Sequence, residues 1–414
     1  MSILQLLPFC LLFVVILQGI EQKDNTVSLE VLIEEADGVI QKSITDYIFA
    51  AKEAGVVFKA ASRLFTEGKN EDSEHYFTKG LQLSPWDMEN QLEYAKVLSA
   101  LGKSEKAKSV ARIVLQTSEK QHVLEESAGL VGKKLPRHIN LIPQKLKEAK
   151  VICFVKIGPV DDWIIQESGK QLSDKLGIPV FIHSKQLPLP LPHRSSYELW
   201  SKALKSDIAW DHPYVIQQMK DIGIKSKEEA TTDQTLELIA RLYVAQGRDD
   251  PRVPFGEFKQ QMKERDKQWD VSRLLDTLLS AYPVNSKIVY VGVTASDIFS
   301  DDNNYLFGTA LTGKHYCIYS YYRYTAWFNF ERENKNRLLE RIHKQLLSSV
   351  GFALGVERPT DPRSARSYPN SLEDHDSKGS WLSLECIKGF EKALGHSLPE
   401  KTKEESNKGL NSDH

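Results

Sequence analysis

A strand–helix–strand unit over residues 151–183 constrains this chain more than any other feature. Residues 151–158 read Val-Ile-Cys-Phe-Val-Lys-Ile-Gly, a short apolar run suited to a buried strand. Residues 161–176 carry helical spacing, and Ile178-Pro-Val-Phe-Ile-His183 is a second strand. Two strands joined by a helix pair in a sheet with helices on its faces, so an α/β domain is required from residue 150 onward. Pro-spaced QLPLPLPHR at 186–194 is an extended connection, 195–246 is largely helical and charged, and GRDDPRVPFGEF at 247–258 is a loop. A helix at 271–282, strands at 287–293 and 316–324 and a helix at 333–354 ending at Gly355 complete the region.

The preceding segment obeys another rule. Residues 27–116 have apolar positions at three- and four-residue spacing and almost no alternation, so they form an all-α domain. ASRLFTEGKNEDSEHYFTKGLQLSP and AKVLSALGKSEKAKSVARIVLQTSE align at Ala61/Ala95, Leu64/Leu98, Gly68/Gly102, Lys69/Lys103, Glu71/Glu105 and Leu81/Leu115, each pair 34 apart (102 − 68 = 34). This period resembles the tetratricopeptide repeat, with small residues at helix contacts and glycine at the turn within each pair. Such an array is either a concave partner-binding surface or a structural helical domain.

The expected organisation is a signal peptide over 1–20, a helical repeat domain over 21–145, an α/β domain over 150–395 and a disordered tail over 396–414. Residues 3–17 are nearly all apolar and too short for an untilted span of about 20 residues, and polar Glu21-Gln-Lys-Asp-Asn25 follows. A cleaved signal places the protein outside the cell or in the secretory lumen; an uncleaved one anchors it to a membrane. Of Cys10, Cys153, Cys317 and Cys386, three remain after cleavage, which supports no disulfide framework. Cys153 and Cys317 are expected as small core residues. With 54 Lys+Arg against 56 Asp+Glu, a net charge of −2 points to no nucleic-acid partner and no anionic surface.

The most specific stretch is SSVGFALGVERPTDPRSARSYPNSLEDHDSKGSWLSLEC, residues 348–386. With Gly351, Gly355, Asp361-Pro362-Arg363, Asn370-Ser371-Leu372, Asp376 and Lys378-Gly379 as fixed points, it resembles the archaemetzincin signature of zinc metallopeptidases. Gly292-Val293-Thr294, Asp297-Ile298-Phe299 and Phe307-Gly308 resemble the strand and loop before the active-site helix of that family. The resemblance implies a metzincin-like fold over about residues 150–390. It also puts Ser348, Ser349, Phe352 and Arg358 (or Pro359) where the family has its three zinc-binding histidines and general base. Pro359, Ser364, Ser383 and Cys386 fall where four cysteines would hold a structural zinc, and Arg366 falls on the methionine beneath the catalytic metal.

A catalytic zinc takes about three nitrogen, oxygen or sulfur donors and a water. The expectation is therefore a protein without zinc and without enzymatic activity, which binds a peptide or protein in the former substrate cleft. The alternative is a hydrolase built from Ser348 or Ser349 with His343 or His375. No two of the 11 histidines are four apart, and GxGxxG, GxxxxGK[ST] and GxSxG do not occur. His343 is expected as a partly buried helix residue, Asp374-His375-Asp376 as a solvated turn and Phe352 as mostly buried.

Overall fold

The computed structural model describes residues 28–40, 47–133, 150–196, 198, 202, 205–206, 208–245, 266–329 and 331–410. The expected signal segment with Cys10 and the loop at 247–258 lie outside these residues. The chain divides into two compact units: Met1–Leu101, Pro192–Gln268 and Asn329–Glu331, then Gly102–Leu191, Trp269–Phe328 and Arg332–His414.

Among the described residues the strands are β1 Val151–Lys156, β2 Val180–Ile182, β3 Arg194–Ser195, β4 Lys267–Asp270, β5 Ile288–Thr294, β6 Asp297–Ser300, β7 Asn303–Leu306, β8 Gly308–Leu311 and β9 Tyr316–Ser320. In the second unit five of them form a mixed sheet of order β2-β1-β5-β9-β8. β2, β1, β5 and β9 run parallel, and β8 lies antiparallel to β9 at the edge. Strands β6 and β7 pair antiparallel within a second sheet.

The uninterrupted apolar character of β1 follows from coverage on both faces. Ile152 and Phe154 enter one core with Ile164, Leu172, Leu338, Ile342, Leu346, Val350 and Phe390, from the helices Asp162–Leu176, Lys335–Ala353 and Leu384–Leu394. Val151, Cys153 and Val155 enter the other with Leu274 and Leu278 of the helix Val271–Ala281. Each such side chain contributes about 1.5–3 kcal/mol on burial. Cys153 and Cys317 are free, buried core residues, and burial pushes the Cys153 thiol up to about 12. Only glycine allows β8 to begin where it does. A Cβ at Gly308 would stand 2.6 Å from the Ile318 carbonyl oxygen and 2.7 Å from Gln345 Nε2.

The C-terminal residues depart from the disordered tail expected for them. Glu400–Leu410 is a helix, tied down by Thr402 Oγ1 donating to the Lys175 carbonyl (2.7 Å), by Ser406 on the Leu382 carbonyl and by the Lys175–Glu405 ion pair. Two buried hydroxyl bonds and a half-buried ion pair on a polar segment outweigh its unhelpful composition.

In the first unit, Leu29–Ile40, Tyr47–Thr66, Asn70–Leu83 and Met88–Ala100 are helices, and Ala54, Phe58, Ala61, Leu64, Phe77, Leu92, Ala95 and Leu98 are buried. Gly80 is needed against Phe58, whose ring would lie 2.4 Å from an added Cβ. Val215, Met219, Ile224, Leu236 and Ile239, from the Pro213–Asp221 and Thr232–Ala245 region, form a smaller core.

Candidate functional site

The long helix Lys335–Ala353 opens on Asn334, whose side chain accepts from the Arg337 N–H, and stops before Gly355 at φ 77°. Its apolar stripe faces the sheet, yet it also buries Arg341, His343, Lys344, Gln345 and Ser349. Arg341 holds Asp376 through two hydrogen bonds (2.8 and 2.5 Å) and donates to the Tyr324 carbonyl (2.9 Å). Lys344 reaches Glu340 (2.9 Å) and the Asp376 carbonyl (3.2 Å). Tyr324 donates to Gln345 Oε1 (3.2 Å), and Gln345 Nε2 donates to Ser349 Oγ (2.9 Å).

His375 is not in a solvated turn. It is fully buried on the short helix Leu372–Ser377, stacked on Tyr324 at 4.9 Å, with Nε2 hydrogen-bonded to the Arg341 carbonyl (2.9 Å). Burial first, then Lys378, pushes its imidazole down to about 3, so it is neutral. His343 is likewise buried, and desolvation beside Lys175 takes it down to about 4.

Below the end of the long helix lies Arg366, the largest fully buried side chain. Its Nη1 donates to the Glu357 carbonyl (2.6 Å) and contacts Cys386 Sγ (3.4 Å), and Nη2 donates to the Val356 carbonyl (2.7 Å). The guanidinium lies so close to Gly351 that a Cβ there would stand 2.3 Å from Nε. It also sits 5.3 Å from the Phe390 ring centre and 5.6 Å from that of Phe352. Lys378 Nζ bonds the carbonyls on either side of Arg366, those of Ala365 and Ser367, both at 3.1 Å. Burial, with Lys344 and Arg358 nearby, pushes this amine down to about 7.

The sequence-derived positions fall into two groups. Ser349 is buried on Gln345, while Ser348 and Phe352 are only half-buried, so the expectation of a mostly buried Phe352 fails. One face of the ring is covered by Arg358, itself exposed, at 4.7 Å. No hydrogen bond joins Ser348 or Ser349 to His343 or His375 among the described residues. Ser364, Ser383 and Cys386 do come together: Ser383 N–H donates to Ser364 Oγ (3.2 Å), and Ser383 Oγ accepts from Cys386 N–H (3.3 Å), capping the helix Leu384–Leu394. Pro359 stays outside this string; beside it Thr360 binds the Glu385 carboxylate. Sequence reasoning used Lys378 only as a point of alignment and missed its burial, and missed Lys344 altogether. It also missed two helix starts that had a signal, Ser371 with Glu373 and Asp374 in the first turn, and Ser383 with Glu385.

No family model matches the chain. Similarity to curated proteins is found nonetheless. Archaemetzincin of Pyrococcus furiosus is 28% identical over 108 residues, 26% of this chain and 56% of that protein. Archaemetzincin of Methanocaldococcus jannaschii is 34% identical over 112 residues, 27% of this chain and 62% of that protein. Among solved structures, a zinc-dependent peptidase from Methanocorpusculum labreanum matches at 13% identity and TM-score 0.34, covering 58% of this chain and 99% of that one. The chain spans a little over half the length of the first curated relatives it matches.

Two expectations, that the chain is not an enzyme and that it has no zinc, are corrected by the curated relatives, which are named archaemetzincin, the family whose signature the sequence resembles. The residues establish something narrower. Ser348, Ser349, Phe352 and Arg358 do not fit zinc, since they offer it an apolar ring and a cation, and the Arg366 guanidinium lies against the helix at Gly351. Among the described residues no group of three or more His, Cys, Asp or Glu is placed to hold a metal. No chemical step is therefore routed through zinc at these positions.

Proposed function

We propose that this archaemetzincin-like chain receives an extended polypeptide as an added strand along the free edge of β8, beside the end of the long helix. The observation that carries this reading is the edge itself. Ser320 N–H donates to the Phe307 carbonyl, so by antiparallel alternation Thr309 and Leu311 also face β9. The N–H and C=O groups of Gly308 and Ala310 then point outward. β8 reads Gly-Thr-Ala-Leu, without the charge or proline that blunts unused edges. An added peptide strand gains main-chain hydrogen bonds there, and side-chain pockets select among sequences. A peptidase-like ancestry supports a polypeptide as the ligand.

The test is a capture experiment with peptides from a reduced, carboxymethylated protein. The unaltered chain is expected to retain peptides. Ala310→Pro removes an outward N–H without disturbing a bond to β9, and is expected to abolish retention while the thermal midpoint stays within a few degrees. Equal retention by Ala310→Pro would refute edge addition.

The N-terminal helices support the repeat reading made from the sequence. Helices Asn70–Leu83 and Ser104–Thr117 start 34 residues apart, and Gly68 and Gly102, each two residues before one of them, have φ of 78° and 73°. Ala61 and Ala95 are both fully buried. Ala95→Leu is expected to overpack its helix contact and cost about 1–3 kcal/mol, measured by urea unfolding. An unchanged stability would remove Ala95 from the contact and the repeat register with it.

A further inference from the structure

Arg358 is an exposed cation in contact with two aromatic rings. Its guanidinium lies 4.7 Å from the ring centre of Phe352 and 4.4 Å from that of Tyr368, itself an exposed aromatic residue. Contact with two rings restricts where the guanidinium can turn. Among the described residues no carboxylate pairs with it. The charges behind it are also positive. Arg366 bonds two carbonyls and a thiol, and Lys378 bonds two carbonyls. Asp374, the carboxylate acting on Lys378, accepts from the Asn370 N–H (3.0 Å).

This cluster stands at one end of β8. The Phe352 carbonyl accepts from the Gly313 N–H (3.0 Å), two residues past Leu311, and the His315 N–H donates to the Ala353 carbonyl (2.9 Å). A strand added along β8 that continued beyond Leu311 would therefore run toward the Phe352–Arg358–Tyr368 stack. Resting on the edge-strand reading above, we infer that Arg358, held between Phe352 and Tyr368, recognises a carboxylate side chain of the bound peptide just beyond the Leu311 end of β8. A carboxylate suits the site because it can take two parallel N–H bonds from a guanidinium whose orientation is already restricted. The buried Arg366 guanidinium behind it favours the same charge.

The experiment uses the full chain and fluorescent Val/Thr-rich decapeptides that carry one Glu at successive positions, each with its Gln counterpart. At one position Glu is expected to bind about tenfold tighter than Gln at low salt, with the advantage shrinking at high salt. In Arg358→Gln the advantage should vanish while affinity for the Gln peptides is unchanged. If the Gln peptides bind the unaltered chain but Glu gives no gain at any position, or if the gain survives in Arg358→Gln, this inference falls and the edge-strand reading stands. If no decapeptide of either kind binds, both fall.

Discussion

Arg366→Ala is expected to lower the free energy of unfolding by about 3–5 kcal/mol. The guanidinium is the donor for the Val356 and Glu357 carbonyls in the turn leaving the long helix, and it touches Cys386 at the start of the helix Leu384–Leu394. Removing it orphans the buried Val356 carbonyl, at about 1–3 kcal/mol, and the half-buried Glu357 carbonyl, at less, and leaves a void beneath Gly351 and between Phe352 and Phe390. Release of a desolvated charge works in the opposite direction and keeps the total from being larger. Arg366→Met should lose less, since it fills the space while leaving the carbonyls without donors. Urea unfolding of the three proteins decides. A loss below about 1 kcal/mol for Arg366→Ala would mean that the guanidinium does not brace this turn.

Acidification is expected to destabilise the fold by about 2–3 kcal/mol between pH 7 and pH 4.5. His343 and His375 are held neutral, down to about 4 and about 3 from an ordinary 6.5. The unfolded chain therefore binds more protons than the folded one below pH 6.5. The stability these residues carry is complete above that pH and is lost as pH falls, by roughly 2–3 kcal/mol each at pH 4.5. Glu119 acts with the opposite sign. Its buried carboxylate accepts from the Ala326 and Asn334 N–H groups and is pushed up to about 7, chiefly by burial, so protonating it on the way down restores roughly 2–3 kcal/mol. Glu119→Gln should remove this offset and make the fall about twice as steep. Urea unfolding at the two pH values tests both statements; a flat profile in both proteins would show that the histidines are solvated.

How far this was legible varied from element to element. β1, the helix after it and β2 were plain, because a strand covered on both faces must be apolar throughout, and no solvent-facing alternation blurs it. β6, β7 and β8 were not, since four-residue strands containing Asp, Asn and Gly carry no period long enough to read. The helix Glu400–Leu410 was hidden for another reason: its attachments are hydroxyls and an ion pair, which look like a solvated tail until partners from residues 175 and 382 are brought to it. Within residues 348–386 the sequence misjudged the interior. Arg366 and Lys378 are satisfied by backbone carbonyls, and residue types alone do not show where a carbonyl will point. His375 was misread for the same reason, its partner being the carbonyl of Arg341.

Amide hydrogen exchange at single-residue resolution tests the proposed peptide binding along β8 directly. With the peptide mixture present, the Gly308 and Ala310 amides should slow markedly while those of Thr309 and Leu311, already engaged with β9, change little. Bound peptide that leaves Gly308 and Ala310 exchanging at their free rate would contradict it.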